Sequence, residues 1–445
     1  MTQIARDLLR EALDFYWKKK WKFIRSARRR GFDFKIQPRI PTVAVTGSVG
    51  KTTTCRMVAH ILARAGLRVG LATSQGLYVG TEVIRAGDLA GGLSAGRLLA
   101  DPRVRAGVFE FARGGLIRNG TVIDGVDVGA VLNVYDNHIG LDGVPDRAGL
   151  ARVKQEVARL ARKLAVLNAD DPLCLEMRGH VRAPRLCLVS ESCDNPEVRT
   201  HLAQGGMAAV LKDAGNGPEL LVREGGKLVG SLAAAKIPAT HGGLFRPAAI
   251  NALFAAAMAH GLGIDWKCIQ DALESFHSTA ETNPGRMNFH AGFPYELLIT
   301  WAEGPQAITE LVRFVGVRGS AGRRHLLFYA PGNRPDWYCL EMTRCLAGAF
   351  DTYICSDVCT DWGDMRGRQP GEMSHLLASG LLKHGVAEEK ITVAPPYEQG
   401  LELAFGRLGR GDLLVVVAFG DKKVLDMARR FQEQAAEPVR DKEGK

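Results

Sequence analysis

Thr42-Val43-Ala44-Val45-Thr46-Gly47-Ser48-Val49-Gly50-Lys51-Thr52-Thr53-Thr54 is the stretch on which the fold turns. It opens with a short β-branched and apolar run, which predicts a strand. After the threonines, Met57, Val58, Ile61 and Leu62 recur at helical spacing. Strand, glycine loop, helix is the setting that a phosphate-binding loop requires. Glycines let backbone N–H groups turn inward around phosphate oxygens, and the head of the helix adds a favourable dipole. Gly47, Ser48, Val49, Gly50, Lys51, Thr52 and Thr53 are therefore expected to line the phosphates of a nucleotide. Lys51 would neutralise the β and γ phosphates, and the Thr52 hydroxyl would ligate Mg²⁺. A plain βα turn would explain the glycines but not the Lys-Thr pair behind them. Two residues separate Gly47 from Gly50, whereas the common nucleotide loop has four, and Val45 stands where that longer loop has glycine.

Working outward, the same alternation continues. Val108-Phe109-Glu110 ends an apolar strand with a carboxylate, and in a doubly wound sheet the carboxyl ends of strands face the ligand crevice. Another apolar strand, Val128 to Val134, is followed by His138. Lys154 lies in the helical pattern Leu150 to Glu156, and Leu164 to Leu167 reads as a further strand. From Gly285 the alternation restarts: Tyr295 to Thr300, a helix after Pro305, His325 to Ala330, a helix from Asp336, Thr352 to Cys355, Leu413 to Phe419 and a final helix. Strands alternating with helices predict an α/β protein. A three-layer central ATPase domain with a P-loop (41–284) is expected to precede a Rossmann-like C-terminal α/β domain (285–435). A basic helical arm (1–40) and a polar tail (436–445) would flank them.

With 445 residues and 46% apolar content, the chain can bury two or three cores. The formal charge of +10 is not spread evenly. Residues 1–40 hold 12 Lys/Arg against 4 Asp/Glu, so eight of the ten net charges sit there. In the arm, Leu9, Leu13, Tyr16 and Trp17 recur at helical spacing before Lys18, Lys19, Lys20, Lys22, Arg25 and Arg28 to Arg30. Residues 1–35 would either meet an anionic membrane surface or dock on protein with a solvated basic face. A nucleic-acid partner is not expected, because the charge is confined to the arm and the loop spacing is wrong for a nucleic-acid ATPase. The nine cysteines include close pairs, Cys355 with Cys359 and Cys187 with Cys193, that lack the spacing of a zinc site. They read as reduced thiols in a cytoplasmic protein, membrane-associated only if the arm makes it so. No apolar run of about 18 residues predicts a transmembrane span.

The GxxGKT loop after a Val-Ala-Val-Thr strand resembles that of Mur ligases and folylpolyglutamate synthetases. Glu110-Phe111-Ala112-Arg113-Gly114-Gly115-Leu116-Ile117-Arg118, Val131-Leu132-Asn133-Val134, Asn168-Ala169-Asp170-Asp171-Pro172, Thr240-His241-Gly242-Gly243 and Gly285-Arg286-Met287-Asn288 are most similar to the C-terminal Mur-ligase region of cyanophycin synthetases. The resemblance spans residues 41–430 and weakens after 290. It implies a ligase unit standing without the ATP-grasp region that precedes it in those proteins. It also implies a carboxylate activated by ATP as an acyl phosphate and joined to an amine, with amino acids or peptides as substrates and ATP and Mg²⁺ as cofactors.

By the same resemblance, Glu110 and His138 would join Thr52 on the metal, and Lys154 would be the site of a lysine carbamate. Asn251 matches the last position of a nucleotide-contacting His-Asn-x-x-Asn segment, into which His241 and Arg246 also fall. Arg286 would contact nucleotide, and Arg113, Arg334, Arg366 and Arg368 would meet substrate, since guanidinium binds carboxylates bidentately. The departures are specific. Asn137 replaces an aspartate before His138, and Thr300-Trp301-Ala302-Glu303-Gly304-Pro305 stands where an Asp-Tyr-Ala-His-Asn-Pro strand end is usual. Because the phosphate-handling residues are kept, a changed substrate is the expectation. The rivals are a ligase of the poly-γ-glutamate synthase type and a nucleotide-binding scaffold that no longer ligates.

Overall fold

β1 (Thr42–Thr46) is buried at all five positions, as a central parallel strand covered on both faces must be. The computed structural model describes residues 35–137, 139–215, 217–358, 367–418 and 422–436. Most of the expected arm, His138, Arg366 and nearly all of the expected tail lie outside the described residues. Two compact units emerge. One takes residues up to 213 together with 219–232 and 250–273; the other takes 214–218, 233–249 and the chain from 274 onward.

In the first unit β1 is joined by β2 (Val69–Thr73), β3 (Gly76–Val79), β4 (Glu82–Ala86), β5 (Ala106–Glu110), β6 (Val126–Val131), β7 (Ala161–Asn168), β8 (Arg185–Ser190), β9 (Met207–Ala214), β10 (Gly217–Glu224) and β11 (Lys227–Ala233). The sheet order is β11-β10-β9-β8-β7-β6-β1-β5-β2-β3-β4. β1 lies parallel between β5 and β6, and β2 runs parallel on the far side of β5. Crossover helices α1 (Lys51–Arg64), α2 (Gly92–Leu99), α3 (Arg113–Asn119) and α4 (Arg147–Leu160) link the central strands. Ala44 and Phe109 pack with Val126, Val157 and Leu160 in one core. Each Val, Leu or Phe side chain of this kind, once fully buried, stabilises by about 1.5–3 kcal/mol. The register sets Val45 beside Glu110 and Thr46 beside Val131, so the ends of β1, β5 and β6 are level.

The second unit carries β12 (Asn288–His290), β13 (Glu296–Thr300), β14 (Arg324–Phe328), β15 (Thr352–Cys355), β16 (Ile391–Val393) and β17 (Leu413–Val417), ordered β12-β13-β17-β14-β15-β16. Only β12 runs antiparallel to its neighbour. Period-two alternation divides its side chains between two cores. Leu298, Leu326, Phe328, Tyr353 and Val415 face one core, and Leu297, Ile299, Leu327, Ile354 and Val416 the other. The fold class is α/β, with the P-loop on the first sheet and a Rossmann-like second unit. No helix among the described residues is long and apolar enough to cross a membrane.

Candidate functional site

The loop between β1 and α1 is shaped by its glycines. Gly50 has φ +86°, and a Cβ there would stand 2.5 Å from the Asn251 side-chain oxygen; one at Gly47 would stand 2.9 Å from Leu132 Cβ. Only glycine fits both places. Asn133, just beyond β6, braces the loop from behind. Its Oδ1 accepts from the amides of Ser48 (2.8 Å) and Val49 (2.9 Å), and its carbonyl accepts from Ser48 N at 3.0 Å. The Ser48 and Val49 amides are thus turned to Asn133, whereas the first N–H groups at the head of α1 have no intrahelical acceptor. Lys51 folds back so that Nζ donates to Ser48 O at 3.1 Å. Asn251 accepts from the Thr54 hydroxyl at 3.2 Å, against the same loop.

A group of oxygens meets at the strand ends in front of the loop. Thr52 Oγ1 donates to Glu110 Oε2 at 2.9 Å and lies 3.1 Å from Ser74 Oγ, while Ser74 N donates to the same Glu110 oxygen at 3.1 Å. Glu110 is 1% exposed. A carboxylate this buried needs donors or a cation to replace its hydration. One carboxylate and two hydroxyls suit a hard cation that keeps waters and phosphate oxygens for its other positions. Among the described residues there is no cluster of three His, Cys, Asp or Glu that would make an all-protein cage.

Lys154 is brought in by α4, whose first turn is capped by Asp146 accepting from Gly149 N at 2.6 Å. Its Nζ donates to Ser48 Oγ at 2.6 Å and to Asn133 O at 3.2 Å. It is 2% exposed. Burial, and then the nearby positive charge of Lys51, hold its amine well below the usual lysine range. Asn137, where an aspartate was usual, is buried; its Nδ2 donates to Ser48 O at 3.4 Å and its Oδ1 has no partner among the described residues. Asp171 accepts from Val134 N at 2.6 Å and caps the turn after β7. Arg113 donates to Leu141 O at 2.7 Å and pairs with Asp142 at 3.0 Å.

Sequence reasoning missed Ser74 and gave Asn133 no role of its own. Ser74 had no cue of its own, because Thr73-Ser74-Gln75-Gly76 reads as an ordinary polar turn. Only the parallel pairing of β2 with β5 brings it beside Glu110.

In the second unit Arg286 N donates to Asn288 Oδ1 at 3.2 Å, and the Arg286 guanidinium donates to Gly285 O at 3.0 Å. His241 packs on Phe289 and Phe314 with ring centroids 5.3 Å away, and its burial lowers its pKa. Thr300, buried, accepts from Met287 N at 3.3 Å. Glu303 forms a buried ion pair with Arg334. Arg368 joins Asp336 to Glu372 and donates to Gly332 O at 3.3 Å.

Residues 45–213 match the model of the Mur ligase middle domain. The chain is 33% identical over 394 residues to the cyanophycin synthetase of Crocosphaera subtropica and 35% identical over 395 residues to that of Geminocystis herdmanii. The chain thus carries a Mur ligase middle domain. Each match takes in 88% of this chain but 44% of the cyanophycin synthetase, so it spans less than half the length of those relatives. The fold is shared with the MurF ligase of Thermotoga maritima, solved in complex with ADP. That match has a TM-score of 0.60 and 18% identity, and covers 95% of this chain and 85% of that one.

Proposed function

We propose that this chain is an ATP-dependent carboxylate–amine ligase that works through an acyl phosphate. The observation that carries the reading is the meeting of Thr52, Ser74 and Glu110 oxygens in front of the Lys51 loop. In this reading Thr52, Ser74, Glu110 and His138 would hold Mg²⁺, which would supply charge neutralisation for the β and γ phosphates of ATP. Gly47 to Thr53 shape the phosphate seat, with the amides at the head of α1 aimed at phosphate oxygens and Lys51 released from Ser48 O to meet them. Asn251 and Arg286 serve the rest of the nucleotide. A carboxylate oxygen of the donor takes the γ-phosphoryl group and ADP leaves. The acceptor amine then attacks the acyl carbon; inorganic phosphate leaves, and the amine nitrogen gives up a proton. Lys154, whose amine is held well below the usual lysine range, gives up its proton more readily and so offers the lone pair that carbon dioxide needs; a carbamate formed there with loss of a further proton would turn a buried amine into an anion beside the phosphates.

Amino acids or peptides are the substrate class, with 41–284 as the nucleotide-handling domain and 285–435 as the acceptor-side domain. The protein is placed in the cytoplasm, with residues 1–35 available to an anionic membrane surface or to a protein partner. The deciding experiment measures phosphate release from ATP and Mg²⁺ with free amino acids, short Asp-Arg and Glu peptides, and cell extract. Release that depends on Lys51 and accompanies a new amide mass supports ligation. ATP binding without any ligated product across the panel leaves a nucleotide-binding scaffold as the better reading.

A further inference from the structure

Arg113 opens α3, three residues beyond Glu110, and its side chain crosses to the turn at 139–146. Nη1 donates to Leu141 O at 2.7 Å and Nη2 meets Asp142 Oδ2 at 3.0 Å, with the side chain only 10% exposed. Arg118 approaches the same carboxylate at 3.6 Å. The turn needs an anchor. Gly140, Asp142 and Gly143 have φ of 82°, 50° and 77°, and Asp142 is one of few non-glycine residues here in the left-handed region, where a side chain is strained. The turn's own bonds are Gly140 N to Val144 O at 2.7 Å and Val144 N to Leu141 O at 3.2 Å.

What the turn connects gives it a purpose. Upstream lie Asn133 and Asn137, which hold the loop at Ser48 and Val49. Downstream, Asp146 caps α4, the helix that carries Lys154, and Arg147 donates to Val134 O at 2.9 Å. α3 is itself fixed, because Gly115 packs so closely on Ala90 O that a Cβ would stand 2.9 Å away. We infer that Arg113 is a positioning residue: it ties the Glu110 strand end to the segment that carries Asn137 and Lys154, and its guanidinium is committed to the turn instead of to a substrate carboxylate. The inference rests on the nucleotide-site reading above.

The test follows amide hydrogen exchange in the full chain with and without Mg²⁺ and a non-hydrolysable ATP analogue. Variants are Arg113→Ala, Arg113→Lys, Asp142→Gly, which keeps the left-handed turn, and Arg113→Ala with Asp142→Gly. In the wild type the analogue should protect both the loop at 47–53 and the turn at 139–146. Arg113→Ala should speed exchange in the turn about tenfold and abolish its added protection, while the loop stays protected. Lysine reaches the carbonyl or the carboxylate but not both, so Arg113→Lys should fall between. The double variant should be no worse than Arg113→Ala, as expected for two groups in one contact. Unchanged turn exchange in Arg113→Ala, or losses that add in the double variant, would overturn the inference and return Arg113 to substrate. No protection of the wild-type loop would instead sink the nucleotide reading itself.

Discussion

Lys154 is the residue whose environment makes the sharpest demand. Its amine is buried against Ser48 Oγ and Asn133 O, and burial followed by the charge of Lys51 depresses its pKa. The unfolded chain, with an ordinary lysine near 10.4, therefore binds more protons than the folded one between the depressed value and that one. The cost is fully present at low pH, and stability rises as pH climbs through the window towards the ordinary lysine value. Melting temperatures of wild type and Lys154→Met in CO2-free buffer should differ in slope, with wild type gaining on the variant from pH 7 to 9.5. Parallel curves would contradict a depressed lysine. Adding bicarbonate near pH 8 should change the wild-type melting temperature alone if the amine takes up carbon dioxide. At the phosphate seat, Lys51→Ala and Glu110→Gln should each lower Mg²⁺-dependent phosphate release by about 100-fold or more, the scale of losing one preorganised charge at a reacting group. Glu110→Gln keeps an acceptor for Thr52 and Ser74, so its melting temperature should move far less than its activity. A variant that melts early and keeps its activity would reverse that assignment.

At the scale of elements, the unit of β1, loop and α1 was legible because every local cue agrees: a β-branched run, two glycines, then helix periodicity. The helix carrying Lys154 and the strand ending in Glu110 were legible for the same reason. What could not be read was lateral order. That β2 lies beside β5, and so brings Ser74 to Glu110, depends on sheet pairing between segments about 35 residues apart, and no local pattern encodes it. The short strands β12 and β16, and the helices Glu372–Lys383 and Tyr397–Phe405, also went unread. Three-residue strands at a sheet edge carry too little alternation to register. Arg334 was read as a substrate arginine from its loop, and the ion pair with Glu303 comes only from the fold. The loop's geometry gives its own prediction. Gly50→Ala forces a side chain into φ +86° and onto Asn251, which should destabilise by about 1–3 kcal/mol. Adding Asn251→Ala relieves the contact but not the backbone strain, so thermal denaturation should recover only part of the loss. Full recovery would mean that the left-handed φ costs nothing.

At the scale of the molecule, two sheets each have their own hydrophobic faces, the first around β1 and the second around β13, β14 and β17. Period-two alternation fills both faces of the second sheet. Cooperative unfolding is expected to follow cores, and chains with more than one core often depart from two-state behaviour. Scanning calorimetry should therefore resolve two transitions. A ligand that binds only the folded form adds RT ln(1 + [L]/Kd), about 2.7 kcal/mol at a hundredfold excess over Kd. Mg²⁺ with ADP should raise one transition, assignable to the sheet that carries Lys51, and Lys51→Ala should remove that shift while leaving the other transition where it is. If ADP raises both together in the wild type, Arg286 is the first residue to substitute, because it is the nucleotide contact proposed for the second unit. Loss of the second shift in Arg286→Ala would then assign that contact directly, whereas a single transition unaffected by ADP would contradict the nucleotide site and the independence of the cores at once.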